Sequence, residues 1–176
     1  MIKAIARVIV AFNTNVKKEQ IALGAAWGLM LGLVPTGNLL WVLLLVVAVF
    51  IRQHHGMLVL FIFVGRLLAA LIVPVVDAIG FAVLTAPLLY DFWTFLYNLP
   101  LIPLSNFNNT LVLGGFILSI AMFLPVFFVV RGFVPFYRMR VVPAIIESKF
   151  YKALIRIPVV AKLRAAVSVF SRFAGV

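Results

Sequence analysis

The sequence predicts an all-α membrane protein. Broken or re-entrant helical hairpins combine with transmembrane helices, about four membrane segments in all, between an amphipathic N-terminal helix and a basic amphipathic C-terminal tail. Three observations predict this. Of 176 residues, 66% are hydrophobic and 11% charged, against about 45–50% and about 25% in soluble domains. The net charge of +11 sits at the two ends, with +3 in residues 1–20, zero in 21–130 and +8 in 131–176. The central apolar runs are broken by Pro and Gly. Basic flanks around an apolar block follow the positive-inside pattern. A nucleic-acid binder sets its basic patch on a soluble fold instead, so no nucleic-acid partner is expected. With no cysteine, a thiolate metal site, a disulfide and a thiol nucleophile are all excluded.

The chain divides into an interfacial helix at 1–19, a membrane domain at 20–131 and a basic tail at 132–176. At the start, Lys3 and Arg7 share one helical face, and Ile2, Ile5, Ile9 and Phe12 lie on another. That pattern suits a helix lying in the membrane interface. No cleavage site of the small-x-small kind precedes a polar mature chain, so it does not read as a secretory signal.

Residues 20–51 form one apolar stretch. As a single helix it would be about 48 Å long, more than the ~30 Å hydrocarbon core. The break falls at Pro35, Thr36, Gly37 and Asn38, where Pro removes a donor and Gly permits a sharp turn. The stretch is either a re-entrant hairpin or a strongly kinked span. Gly24, Gly28 and Gly32 recur every four residues and share a face, which is either a groove for close helix packing, within the chain or with a partner, or, together with the Pro35–Asn38 tip, the lining of a substrate path.

After the polar turn Arg52-Gln53-His54-His55-Gly56, residues 57–76 read as a span that contains Arg66 and ends near Pro74. Residues 78–97 form a second run with Pro87 inside it, and 98–109 are polar but uncharged. Residues 110–130 form the cleanest span, closed by Arg131. Positive charge puts both termini in the cytoplasm. Two topologies satisfy that parity. One has a re-entrant 20–51, a crossing at 57–76, a dip at 78–97 and a return at 110–130, which keeps Arg52 inside and makes two similar units. The other has four ordinary spans and puts Arg52 outside. In the tail, Arg138 and Arg140 beside aromatic residues form an interfacial belt, and Lys149, Lys152 and Arg156 share a helical face. These five are membrane-surface candidates.

The chemistry is sparse. Arg66, Asp77 and Asp91 are the formally charged residues of the apolar block apart from Arg52, and intramembrane charges are functional candidates by default. Together with Pro35, Thr36, Gly37 and Asn38 they are candidates for a lipid-headgroup contact or path. Arg66 either pairs structurally or holds a lipid phosphate, which its planar fork suits. His54 and His55 lack a third ligand nearby, so no metal is expected. No nucleotide or hydrolase motif is present, so neither a cofactor nor an enzymatic activity is expected.

Ile21-Ala22-Leu23-Gly24 with Gly28, then Gly32, Pro35 and Gly37, then an apolar run ending in Arg52, resemble the bacterial domain of unknown function 2062 family. The later run of Gly65-Arg66, Pro74 and Gly80 is similar to that family's second half, so the resemblance spans roughly residues 17–85. Val73 stands where that family usually has Asn. The resemblance implies a small protein of the bacterial inner membrane. For long members such as this one, it also implies a large envelope partner of the bridge-like lipid-transfer type. It supplies no catalytic residue. The expected function is a membrane subunit that binds a larger membrane-anchored envelope protein and helps deliver phospholipid to it. A structural anchor or assembly factor and a small-solute transporter are the alternatives.

Overall fold

The computed structural model describes residues 16–141. The interfacial helix expected over 1–19 therefore falls almost wholly outside the described residues, as do Lys149, Lys152 and Arg156. Within 16–141 all regular structure is helical and no strand occurs. The helices are α1 (Lys18–Leu33), α2 (Leu39–Phe50), α3 (His55–Leu71), α4 (Val73–Leu84), α5 (Tyr90–Tyr97) and α6 (Thr110–Phe136). Single 3-10 turns lie at Pro87–Leu89 and Ile102–Ser105, and a π turn at Tyr137–Val141 continues α6.

Each break has a local cause. Val34, just before Pro35, is extended, the conformation that the following Pro ring imposes. Gly37 then takes φ +91°, a backbone region that a side chain penalises. Asn38 closes the turn with both ends of its amide. Nδ2 donates to the Pro35 carbonyl at 2.7 Å, and Oδ1 accepts from the Trp41 backbone N–H at 2.8 Å, which makes it the N-cap of α2. The break expected at Pro35–Asn38 is thus where the chain turns.

Three other boundaries differ from the sequence expectation. The 57–76 span stops at Ile72, where α3 and α4 meet at 81°. Pro74 enters α4 in its first turn, where its missing N–H costs nothing, whereas in one continuous helix it would break the ladder. The second apolar run therefore starts at Val73 rather than 78. Arg131 does not close the last span either. The helix passes through it as one apolar stretch over Thr110–Arg140, 31 residues long, with Pro125 and Pro135 inside. Arg is a good helix former, and Glu19 of α1 faces Arg131 at 3.5 Å.

Thr110–Arg140 is the one helix among the described residues that is long and apolar enough to cross a membrane. The bent α3–α4 pair passes the same test if counted as one span, and α2 is a shorter apolar helix. Four membrane segments are more than these lengths support.

The helices pack in the order α3, α1, α6, α4. α1 lies in the middle and is buried over most of its length, as an all-round apolar helix must be. α3 runs parallel to it. Gly24 faces His54 and Met57, Gly28 faces Leu58 and Phe61, and Gly32 faces Ile62 and Gly65. α6 runs antiparallel to α1, with Gly115 against Leu33, the Trp27 ring 5.6 Å from Phe123 and Arg131 against Glu19. α4 crosses α6 where Gly80 meets Thr110 and Gly114 meets Val76. Between α1 and its parallel neighbour α3, the chain runs back along α2. By His54 it has returned to the start of α1, where its N–H donates to the Gln20 carbonyl at 3.0 Å. α1 and α2 therefore form a hairpin whose two ends are joined.

Candidate functional site

The topology sorts the charges. The start of α1, the α2–α3 turn and the end of α6 converge on one end of the bundle. Among the described residues, Lys17, Lys18, Arg52, Arg131, Arg138 and Arg140 stand there against the single carboxylate Glu19. The Arg138 guanidinium donates to the Val16 carbonyl at 3.0 Å, which ties the end of α6 to the chain ahead of α1. The Glu19–Arg131 pair is more than two-fifths exposed on both sides, so it contributes little to stability.

At the α2–α3 turn Gln53 is buried and His54 half-buried, whereas Arg52 and His55 are exposed. Gln53 is 7% exposed; its amide nitrogen donates to the Ala48 carbonyl, and its Oε1 has no partner. His54 caps α3 by accepting from the Met57 N–H at Nδ1, 3.1 Å away. Burial holds its pKa below the ordinary histidine value, and neighbouring His55 pushes in the same direction.

The opposite end holds the turn at Pro35–Asn38, α5 and the charge-free 98–109 loop. Thr36 and Gly37 are exposed at the turn, whereas Asn38 is buried. Both polar functions of Asn38 are consumed by the turn, which leaves it a structural cap rather than a headgroup contact. Arg66, Asp77 and Asp91 do not meet. Asp77 accepts from the Thr110 hydroxyl across the α4–α6 contact. Arg66, half-buried in α3 beside Gly65, has no ion pair or hydrogen bond among the described residues, and Asp91 is exposed on α5.

The glycine stripe is resolved in favour of internal packing. A Cβ on Gly28 would lie 2.4 Å from the Leu58 carbonyl oxygen, and one on Gly32 would lie 2.7 Å from the Gly65 Cα. The groove expected as one possible seat for a partner helix is filled by α3 of the same chain.

The sequence reading missed two tryptophans. The Trp41 indole donates to the Leu31 carbonyl at 2.9 Å, and the Trp93 indole to the Val83 carbonyl at 3.1 Å. The signal was present as a repeated spacing. Ala26, Gly28, Pro35 and Trp41 recur, 52 residues on, as Ala78, Gly80, Pro87 and Trp93. Outside these turns, the described surface is dominated by large apolar side chains. Phe50 is 84% exposed, Leu71 78% and Leu88 92%, far beyond the isolated apolar residues that any soluble surface carries.

The chain is 30% identical over 151 residues to a protein of Treponema pallidum (strain Nichols) described as an uncharacterized protein; the match covers 86% of this chain and 93% of that one. No family model matches the chain. No solved structure matches it either.

Proposed function

The chain belongs to one family with the Treponema pallidum protein, and from the geometry of this member we propose an integral membrane protein that binds phospholipid at its basic end and serves a larger envelope partner. One observation carries the reading. The bundle has an apolar exterior, and its charges are segregated so that six cations gather at the end where the α1–α2 hairpin both begins and finishes. An apolar exterior is what a lipid solvent selects. A cationic end attracts the anionic cytoplasmic leaflet, at about 1 kcal/mol per cation.

In this reading α1–α2 is a re-entrant hairpin entering from the cytoplasmic side, with its tip at Thr36 and Gly37 inside the bilayer. Irregular backbone at that depth survives only where protein covers it. Asn38 and Trp41 supply part of that cover, by satisfying the Pro35 and Leu31 carbonyls and the Trp41 N–H. The bent α3–α4 pair and α6 are the crossing elements, and both termini and Arg52 are cytoplasmic in the inner membrane. Arg66 is the candidate for a phosphate within the bilayer, because its charge has no protein partner among the described residues. The envelope partner and the delivery of lipid to it rest on the family resemblance read in residues 17–85.

Because the native chain has no cysteine, single-cysteine labelling tests the topology directly. Lys18→Cys and Arg52→Cys are expected to react with a membrane-impermeant maleimide from one side, and Asn108→Cys from the other. Reaction of Arg52→Cys from the side of Asn108→Cys would establish four ordinary spans and remove the hairpin. The lipid role is tested by purification in gentle detergent with mass spectrometry of co-purifying proteins and lipids. A large membrane-anchored protein together with bound phospholipid is the expected result, and a chain that emerges with neither overturns it.

A further inference from the structure

In the half of the bundle nearer the cationic end, α3 and α6 leave a groove of about 350 Å³ between them. Phe61, Pro125, Val126, Val129, Val130 and Phe133 line it, and every lining side chain is apolar. Its floor is well packed, because Phe61, Val126 and Val130 rest on the core of Ile21, Ala25, Met57 and Val134. Its outer wall is open, with Val129 70% exposed and Phe133 49%. The α6 wall then continues through the π turn to Arg140, which is exposed and has no partner among the described residues.

We propose that this groove seats one acyl chain of an anionic phospholipid whose phosphate pairs with Arg140. The inference rests on the membrane reading above and adds a site and a ligand class to it. Three observations select this occupant over an apolar peptide. The groove offers no hydrogen-bonding group along its length, and a hydrocarbon chain needs none. Among the described residues, the cations around its lower end outnumber the carboxylates by six to one, and a guanidinium fork matches phosphate oxygens. From Pro125 to Arg140 the helix rises about 22 Å at 1.5 Å per residue. That is about the depth of one leaflet with its headgroup, half of a ~40–45 Å bilayer.

The test uses the full chain reconstituted in phosphatidylcholine vesicles that contain a few per cent of phosphatidylglycerol carrying a photoactivatable acyl chain. After irradiation, labelled peptides are mapped by mass spectrometry. The label is expected to concentrate on Phe61 and on 125–133. Val129→Trp, at an exposed position that tolerates bulk, is expected to abolish it. Arg140→Gln is expected to reduce it about fivefold, the effect of one surface cation. Equal labelling by a photoactivatable phosphatidylcholine, labelling spread evenly onto Phe50 and Leu71, or indifference to both substitutions would overturn the proposal. Flotation with the vesicles is measured alongside. A chain that floats without groove labelling sinks the site alone, and one that does not float sinks the membrane reading and the site with it.

Discussion

The indole N–H of Trp41 donates to the carbonyl of Leu31, which lies four residues before Pro35. In an α-helix that carbonyl accepts from the N–H four residues on, and Pro35 has none. The second unit repeats the arrangement. Trp93 donates to Val83, four residues before Pro87. Pro35 and Pro87 are thus each matched by a tryptophan six residues later that restores the bond the proline removed. Trp41→Phe keeps the ring and loses the donor. It is expected to cost about 1–3 kcal/mol, the desolvation penalty of an unsatisfied buried acceptor. Leu31 is fully buried and Val83 only half, so Trp93→Phe is expected to cost less. Thermal unfolding of the two variants in one detergent checks the order, and an equal or reversed loss would show that the indole bonds are incidental.

The glycines separate space from backbone freedom. At Gly80 a Cβ would sit 1.9 Å from the Thr110 carbonyl oxygen, and at Gly28 2.4 Å from that of Leu58, both backbone atoms that cannot step aside. Gly28→Ala and Gly80→Ala are expected to force helix pairs apart and to lower the melting temperature sharply or abolish folding. Gly132 lies in the interior of α6, with nothing within 4 Å of a Cβ. Gly132→Ala is expected to stabilise by up to about 1 kcal/mol through helix propensity. Melting curves of all three check the contrast, which fails if Gly132→Ala destabilises as the others do.

The helix breaks were legible where a residue type alone dictates them. Pro35, Gly37 and Asn38 have one sensible reading, and the turn is there. The end of the last helix was not legible. Arg131 looks like a stop only while its partner Glu19, more than a hundred residues away in sequence, is invisible. The stripe Gly24–Gly28–Gly32 announced close packing, but no local pattern says whether the neighbour is another chain or α3. Arg66 and Asp77 were each candidates on charge alone, and the contact of Asp77 to Thr110 depends on how α4 crosses α6. The Pro–Trp spacing could have been found by comparing the chain with itself at an offset of 52.

Among the described residues, Arg66 makes no hydrogen bond or ion pair that its removal would break. Arg66→Leu is therefore expected to leave unfolding within about 0.5 kcal/mol of the parent, as for a substitution away from any specific interaction. Asp77→Asn, which weakens the bond from Thr110, is expected to destabilise measurably. Unfolding in detergent separates the two. A large loss in Arg66→Leu would mean that the guanidinium is structural and would remove it from any lipid path.

The pH dependence of folding follows from His54. Burial and His55 lower its pKa in the folded chain, so the unfolded chain takes up its proton first as pH falls. By linkage, folding is then favoured above the unfolded value of about 6.5. This contribution is lost progressively as pH drops from there through the lower folded pKa. The neutral ring is also the one that can cap α3, because Nδ1 must keep a lone pair to accept from the Met57 N–H. Acidification therefore charges a half-buried group and removes a helix cap at the same time. His54→Asn keeps a capping acceptor without titrating between pH 5 and 7. Its melting temperature is expected to vary less across that range than the parent's, with the two curves closest at the alkaline end. Parallel curves would place the acid sensitivity on another group, and His55→Gln would then be the variant to compare.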